Sequence, residues 1–245
     1  MTKTTTHNST KGIVLKTMPY KENDLLVYVY TREFGKITIK ARGVRKMTAK
    51  NASLVMPMTL SELELIPRKG ISNLMTGQVL NYYHYIKKTI ECEIIGDYLL
   101  EYYYRYVKEN DPKLEDYNFL KDTLDALNNG ASYKVVYNVI NAHLMKINGV
   151  SLMLDHCVFC DSTKVVDFSL DDGGFVCRDH HKGMQHYDPE TLKAIRYLYK
   201  VPVAKCDQIH LSDEVISKVS PIFAYYVEEY AGIRLKSKTF VKQIV

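Results

Sequence analysis

Residues 11–44 read KGIVLKTMPYKENDLLVYVYTREFGKITIKARGV, and the period of this stretch decides the fold. GIVLKT, LLVYVYT and GKITIKARGV alternate apolar and polar residues and are rich in Val, Ile, Thr and Tyr, the pattern of half-buried strands. KEND at 21–24 and REFG at 32–35 carry turn chemistry, with Gly35 expected at a positive-φ position. LVMPMTLSELELIP at 54–67 reads as one long strand in which Pro57 marks an edge or bulge. LMTGQVLNYYHY at 74–85 closes the set. Five strands with little helical period between them predict an OB-type β-barrel over residues 11–83.

Beyond Tyr85 the period becomes helical. IKKTIECEIIGDYLLEYYYRYVKEN places Ile90, Ile94, Leu99, Tyr102 and Tyr106 at three-to-four spacing and stops before Asp111-Pro112. KLEDYNFLKDTLDALNNG predicts a second helix, and SYKVVYNVINAHLMKINGV a third ended by Gly149. Asp188-Pro189 reads as a cap and first-turn proline, and Ser212-Asp-Glu starts a last helix kinked near Pro221. The fold class expected is α+β: the five-stranded barrel followed by a mostly α-helical domain over 84–245. An inserted zinc-ribbon-like hairpin at 156–186 interrupts the second domain. The tyrosines of LLEYYYRYV, at helical spacing, are expected in the core with their hydroxyls at the rim.

Composition narrows the class. With 245 residues, 46% apolar and 25% charged, the chain suits a folded soluble protein, and no apolar run is long enough for a membrane span. Residues 1–10, MTKTTTHNST, lack an apolar segment and are expected to form a loose tail without a secretory signal. Five cysteines in a chain of this length suit an intracellular protein better than a disulfide scaffold. Cys92 and Cys206 are isolated and read as core.

Two constellations carry chemistry. Cys157-Val-Phe-Cys160 and Cys177-Arg-Asp-His180 form a CxxC and a CxxH, and the DDGG between them supplies a hairpin turn that returns the second pair to the first. This is zinc-ribbon spacing with His in the fourth place; His181 is the alternative fourth ligand, followed by His156 and His186. Four protein ligands fill a tetrahedral shell and leave no place for activated water, so one structural zinc is expected and not a catalytic one. A redox CxxC would need a βαβ context that is missing here.

The second constellation is KITIKARGVRKMTAK, with Lys36, Lys40, Arg42, Arg45, Lys46 and Lys50 and no acid among them. Strand alternation sends Lys36, Thr38, Lys40 and Arg42 to one face, a cationic track suited to phosphates, with Tyr28 and Tyr30 on the preceding strand for stacking. An ordinary solvated strand face is the competing reading. The closing IRLKSKTFVKQIV adds Arg234, Lys236, Lys238 and Lys242. Walker A, GxGxxG, HExxH and GxSxG motifs are absent, so no enzyme is expected. A zinc-stapled module that binds an acidic protein partner is the alternative to DNA binding, and a metal-dependent nuclease the third class.

Taken together, KGIVLKTMPYKENDLLVYVYTREFGKITIKARGVRK, MTLSELELIPRKGISNL, the CVFC…DDGGFVC…H cluster and YYVEEYAGIRLKSKTFV resemble, in order and over nearly the whole chain, the RecO family of bacterial recombination mediators. The resemblance implies a non-enzymatic protein of the bacterial cytoplasm and nucleoid. It would bind single- and double-stranded DNA and anneal complementary strands. It would act with RecR and the single-strand-binding protein SSB to help RecA replace SSB, without a membrane or a small-molecule substrate. The family's basic barrel positions fall on Lys40, Arg42, Arg45 and Lys46. Its zinc-bearing members have CxxC…CxxC, matched by Cys157, Cys160 and Cys177; the chain departs at His180, where the family has Cys, and at Asp161, where glycine is common.

Overall fold

The computed structural model describes residues 8–68, 70–181, 183 and 186–245. Strands β1 (Asn8–Tyr20), β2 (Asp24–Thr31), β3 (Gly35–Ala41), β4 (Leu60–Ile66) and β5 (Ile71–Asn81) close into a barrel in the order β1-β2-β3-β5-β4. All neighbours are antiparallel except β3 and β5, which run parallel with Thr38 opposite Ile71. Lys16, Tyr28, Thr38 and Lys40 lie on the outer face of β1 to β3, and the inner face carries Val14, Val27, Val29, Ile37 and Ile39.

Strand β1 is 13 residues long because it serves two neighbours. Its first half pairs with β4, from Asn8 opposite Leu65 to Ile13 opposite Leu60; its second half pairs with β2, from Gly12 opposite Thr31 to Tyr20 opposite Asp24. The strand therefore starts at Asn8, three residues before the expected position, and Thr10 is buried against its neighbours. Residues 1–7 of the expected tail lie outside the described residues.

The long strand expected over 54–67 is broken. Ser53–Val55 forms a 3-10 turn whose Leu54 and Val55 pack into the barrel core, and β4 begins only at Leu60. Pro57 has no N–H for a ladder, and Met58 takes a positive φ of 61°, so the chain turns here before it can pair. Gly35 takes the positive φ (67°) that the REFG turn demands.

Two compact units emerge, Met1–Asn128 and Asn129–Val245. Helices α1 (Ile90–Tyr106) and α2 (Leu114–Asn128) belong with the barrel. The buried Tyr103 stands edge-on to the buried Tyr30 at 5.1 Å, and Asn110 N–H donates to the Lys36 carbonyl at 3.0 Å. The change from strand to helix thus falls near residue 83 while the packing division falls at 128.

The second unit is built on α3 (Tyr133–Ile147), buried continuously from Val135 to Ala142 and therefore a core helix rather than a one-sided surface helix. Around it lie the hairpin β6 (Val165–Ser169) and β7 (Gly174–Cys177), α4 (Pro189–Lys200), α5 (Asp213–Tyr225) and the short α6 (Lys238–Val241). Asp188 caps α4 by accepting from Thr191 N–H at 2.9 Å, and Ser212 caps α5 by accepting from Val215 N–H at 3.3 Å. Pro221 lies inside α5, and a π-helical turn over Tyr226–Tyr230 follows it. Among the described residues no helix is long and apolar enough to cross a membrane.

Closure of the barrel needs space between β4 and β5. A Cβ on Gly77 would sit 2.3 Å from the Glu62 carbonyl oxygen, a backbone atom that cannot move without breaking the ladder. Gly77→Ala is expected to destabilise the protein by about 1–3 kcal/mol, the usual cost of overpacking a filled site; urea denaturation followed by circular dichroism measures it.

Candidate nucleic-acid interface and metal centre

The cationic track is set by strand pairing. Lys16, Tyr28 and Thr38 lie side by side across β1, β2 and β3, and the next layer is Met18, Leu26 and Lys40. Residues directly opposite in neighbouring strands share a face. Arg42, Arg45, Lys46 and Lys50 follow on the loop leaving β3, all exposed. That loop is tied to the β1–β2 turn: Arg45 donates from its N–H to Asn23 O (3.1 Å) and from its guanidinium to Glu22 O (2.9 Å), while Gly43 N–H donates to Asp24 Oδ1 (2.9 Å). The turn adds Lys21, so cations from two loops meet at one rim of the barrel.

Two residues read from the sequence as part of this face are withdrawn from it. Lys36 is buried, its ammonium donating to the Tyr104 carbonyl at 2.8 Å on α1; burial holds its pKa below the usual lysine range, with Glu109 opposing. Tyr30 is fully buried in the core, and burial, with Asp116 adding to it, pushes its hydroxyl up to about 12. Alternation places both on the outer face, where the pairing has them, but it cannot tell which outward positions α1 covers. Tyr28 is half-buried, its ring edge-on to Tyr104 at 4.9 Å. The ring that stays accessible is Tyr20, at the end of β1, with Lys21 and Lys40 ammonium groups 5.8 and 5.9 Å from its centre. The sequence signal for Lys16 and Tyr20 was the alternation of β1 carried through to its pairing with β2; Lys21 belongs to the turn that follows.

The closing basic stretch is partly structural. The Lys238 side chain is 12% exposed and pairs with Glu228.

In the second unit, the hairpin brings the expected ligands together. The donor atoms of Cys157, Cys160, Cys177 and His180 all lie within 4.8 Å of one another. Cys160 Sγ to Cys177 Sγ is 3.8 Å, and His180 Nδ1 lies 3.6, 3.6 and 3.2 Å from the sulfurs of Cys157, Cys160 and Cys177. For tetrahedral zinc, the S···S and S···N edges are roughly 3.8 and 3.6 Å. The cluster fits one metal ion. Burial would raise the Cys157 thiol, but backbone N–H groups of Cys177, Phe159 and Cys160 favour its thiolate and bring it down to about 6.

The other imidazoles are engaged elsewhere. His181 Nε2 lies 2.8 Å from Asp167 Oδ2, and His156 Nδ1 lies 2.9 Å from the Cys157 carbonyl oxygen. His180 is thus the histidine that completes the shell's geometry, and His181 is not brought to it. The DDGG turn serves the backbone: Gly173 has φ 71°, Ser169 Oγ donates to Asp172 Oδ2 at 2.6 Å, and Gly173 N–H donates to Ser169 O at 3.1 Å.

A family model described as "Recombination protein O N terminal" matches residues 4–83, and one described as "Recombination protein O C terminal" matches residues 90–239. The chain belongs to the RecO family. Among curated relatives, the DNA repair protein RecO of Bacillus subtilis (strain 168) is 28% identical over 96% of this chain and 93% of its own length. That of an Exiguobacterium species (strain ATCC BAA-1283 / AT1b) is 29% identical over 96% and 95%, and that of Listeria monocytogenes serotype 4b 24% over 96% and 93%. The RecO N-terminal match holds the whole barrel and its basic rim; the RecO C-terminal match holds the Cys3His cluster.

The geometry separates the two adjacent histidines. In protein purified and dialysed without chelator, His180→Ala is expected to lose the tightly held metal measured by elemental analysis, whereas His181→Ala keeps it.

Proposed function

We propose that this RecO-family protein binds single- and double-stranded DNA through the outer face and rim of the barrel, and that it acts as a mediator rather than an enzyme. The observation that carries the reading is the convergence of Lys21, Arg42, Arg45 and Lys46 at one rim, with Lys16, Lys40 and the accessible ring of Tyr20 on the adjoining face. Phosphates neutralised by such a face release counterions, and an exposed ring beside cations stacks unpaired bases without regard to sequence. A strand held by its backbone keeps its base edges free, which is the physical requirement for annealing. In this reading the protein works in the bacterial cytoplasm with RecR and SSB, and helps RecA onto SSB-coated DNA. Lys50 extends the track, and Lys36, at the covered end of the same face, fixes β3 to α1.

The metal in this reading is one structural zinc on Cys157, Cys160, Cys177 and His180. A soft thiolate-rich tetrahedral set suits zinc, and a filled shell binds no substrate water. Zinc would hold the two knuckles of the hairpin together; the residues themselves orient the donors and bury the Cys157 and Cys177 sulfurs.

Filter binding of a labelled oligonucleotide at several salt concentrations tests the DNA reading. Replacing Arg42, Arg45 and Lys46 by Ala is expected to weaken binding and flatten the log–log salt slope by about 0.7 per lost single-strand contact, so by about 2 in all. Unchanged binding and slope in a folded triple mutant would overturn it. Tyr20→Ala is expected to cost about 1–3 kcal/mol on single strands and little on duplex, because only unpaired bases offer a free face.

A further inference from the structure

Beside the Cys3His cluster lies a second donor group that neither the zinc reading nor the DNA reading uses. Asp167, on β6, is fully buried. Its Oδ1 accepts the N–H groups of Phe168 (2.8 Å) and Tyr187 (3.0 Å). Its Oδ2 faces two imidazoles, His181 Nε2 at 2.8 Å and His186 Nδ1 at 3.5 Å. One donor atom from each of the three residues lies within 4.8 Å of the others.

A buried carboxylate calls for a positive partner. Among the described residues, the ion-pair partners of Asp167 are these two imidazoles, with no Lys or Arg. A divalent cation would supply that charge and use the lone pairs of both rings. Around an ion about 2.1 Å from each donor, donor–donor edges run from roughly 3.0 Å in octahedral geometry to roughly 3.4 Å in tetrahedral geometry. The two edges to Asp167 bracket that range. The His186 side chain is 69% exposed, so the outer side of the group is open to water.

We propose that Asp167, His181 and His186 form a second metal site, separate from the Cys3His cluster. It takes a borderline divalent transition ion such as zinc, nickel or cobalt, with water in the open positions. Its two nitrogens and one oxygen bind more weakly than three thiolates and a nitrogen, so the ion exchanges with solution. When bound, it ties His181 and His186 to strand β6.

The test is calorimetric titration of the full-length protein with zinc and with nickel, after dialysis has left only its tightly held metal. One further equivalent is expected. His186→Ala, which removes an exposed side chain, and His181→Ala should each weaken that equivalent by at least about tenfold, the least expected for losing a direct ligand given what outer-shell partners cost; His156→Ala should not. Cobalt reports the two sites separately, since thiolate-to-metal charge-transfer absorption belongs to the Cys3His cluster and the added equivalent develops none. Elemental analysis of the purified protein reads the tight site alone, so a failure of the zinc reading is seen there and not in the titration. The proposal is overturned if no further equivalent binds, if it keeps its affinity in either histidine variant, or if it shows thiolate absorption.

Discussion

Pairing of β1 with both β2 and β4, two ladders that overlap at Gly12 and Ile13, is the constraint on which the first unit rests. Where the two ladders meet, a Cβ on Gly12 would lie 2.5 Å from Val29 Cγ1. Glycine there lets the two ladders meet without displacing the Val29 side chain. Closure gives β1 to β3 an inner apolar face, and it leaves Lys16, Lys40 and the cations of the adjoining loops on the outer side.

That surface is ordered at its loops, not only in its strands. The loop after β3 could have splayed its four cations into solvent. Instead the Asn23 and Glu22 carbonyls and the Asp24 carboxylate hold Gly43 and Arg45 against the β1–β2 turn. Glu22 and Asp24, which seem to dilute the charge when the sequence is read linearly, thus give up polar atoms to position the basic residues. Helix α1 covers one end of the same face, taking Lys36 and Tyr30 out of the surface and leaving Tyr20 as its accessible aromatic.

In the second unit the same division of labour appears around β6 and β7. A knuckle needs its ligands two residues apart and a turn that reverses the chain, both of which are local properties. The choice between His180 and His181 is not local. Adjacent side chains leave the backbone in different directions, and Asp167, thirteen residues before His180, claims His181 through its buried carboxylate. The two neighbouring histidines therefore face two different donor sets.

How much was legible follows from this. The strands around KEND and REFG, the third helix with its Gly149 stop, the Asp188-Pro189 cap and the CxxC/CxxH pair could be read because each depends on residues within one turn or one alternation. The break at Pro57, the burial of Lys36 and Tyr30, and the engagement of His181 could not. Each depends on what another segment covers or donates. The family was legible as well, since motifs in order over the whole chain were enough to match it. By itself, then, the sequence determined the barrel, the helices and the four-ligand spacing, through backbone periodicity and turn chemistry that act between near neighbours. Only the tertiary structure decided which cations face solvent and which histidine faces the thiolates, because burial and hydrogen bonding are settled between residues that folding, not the chain, brings together.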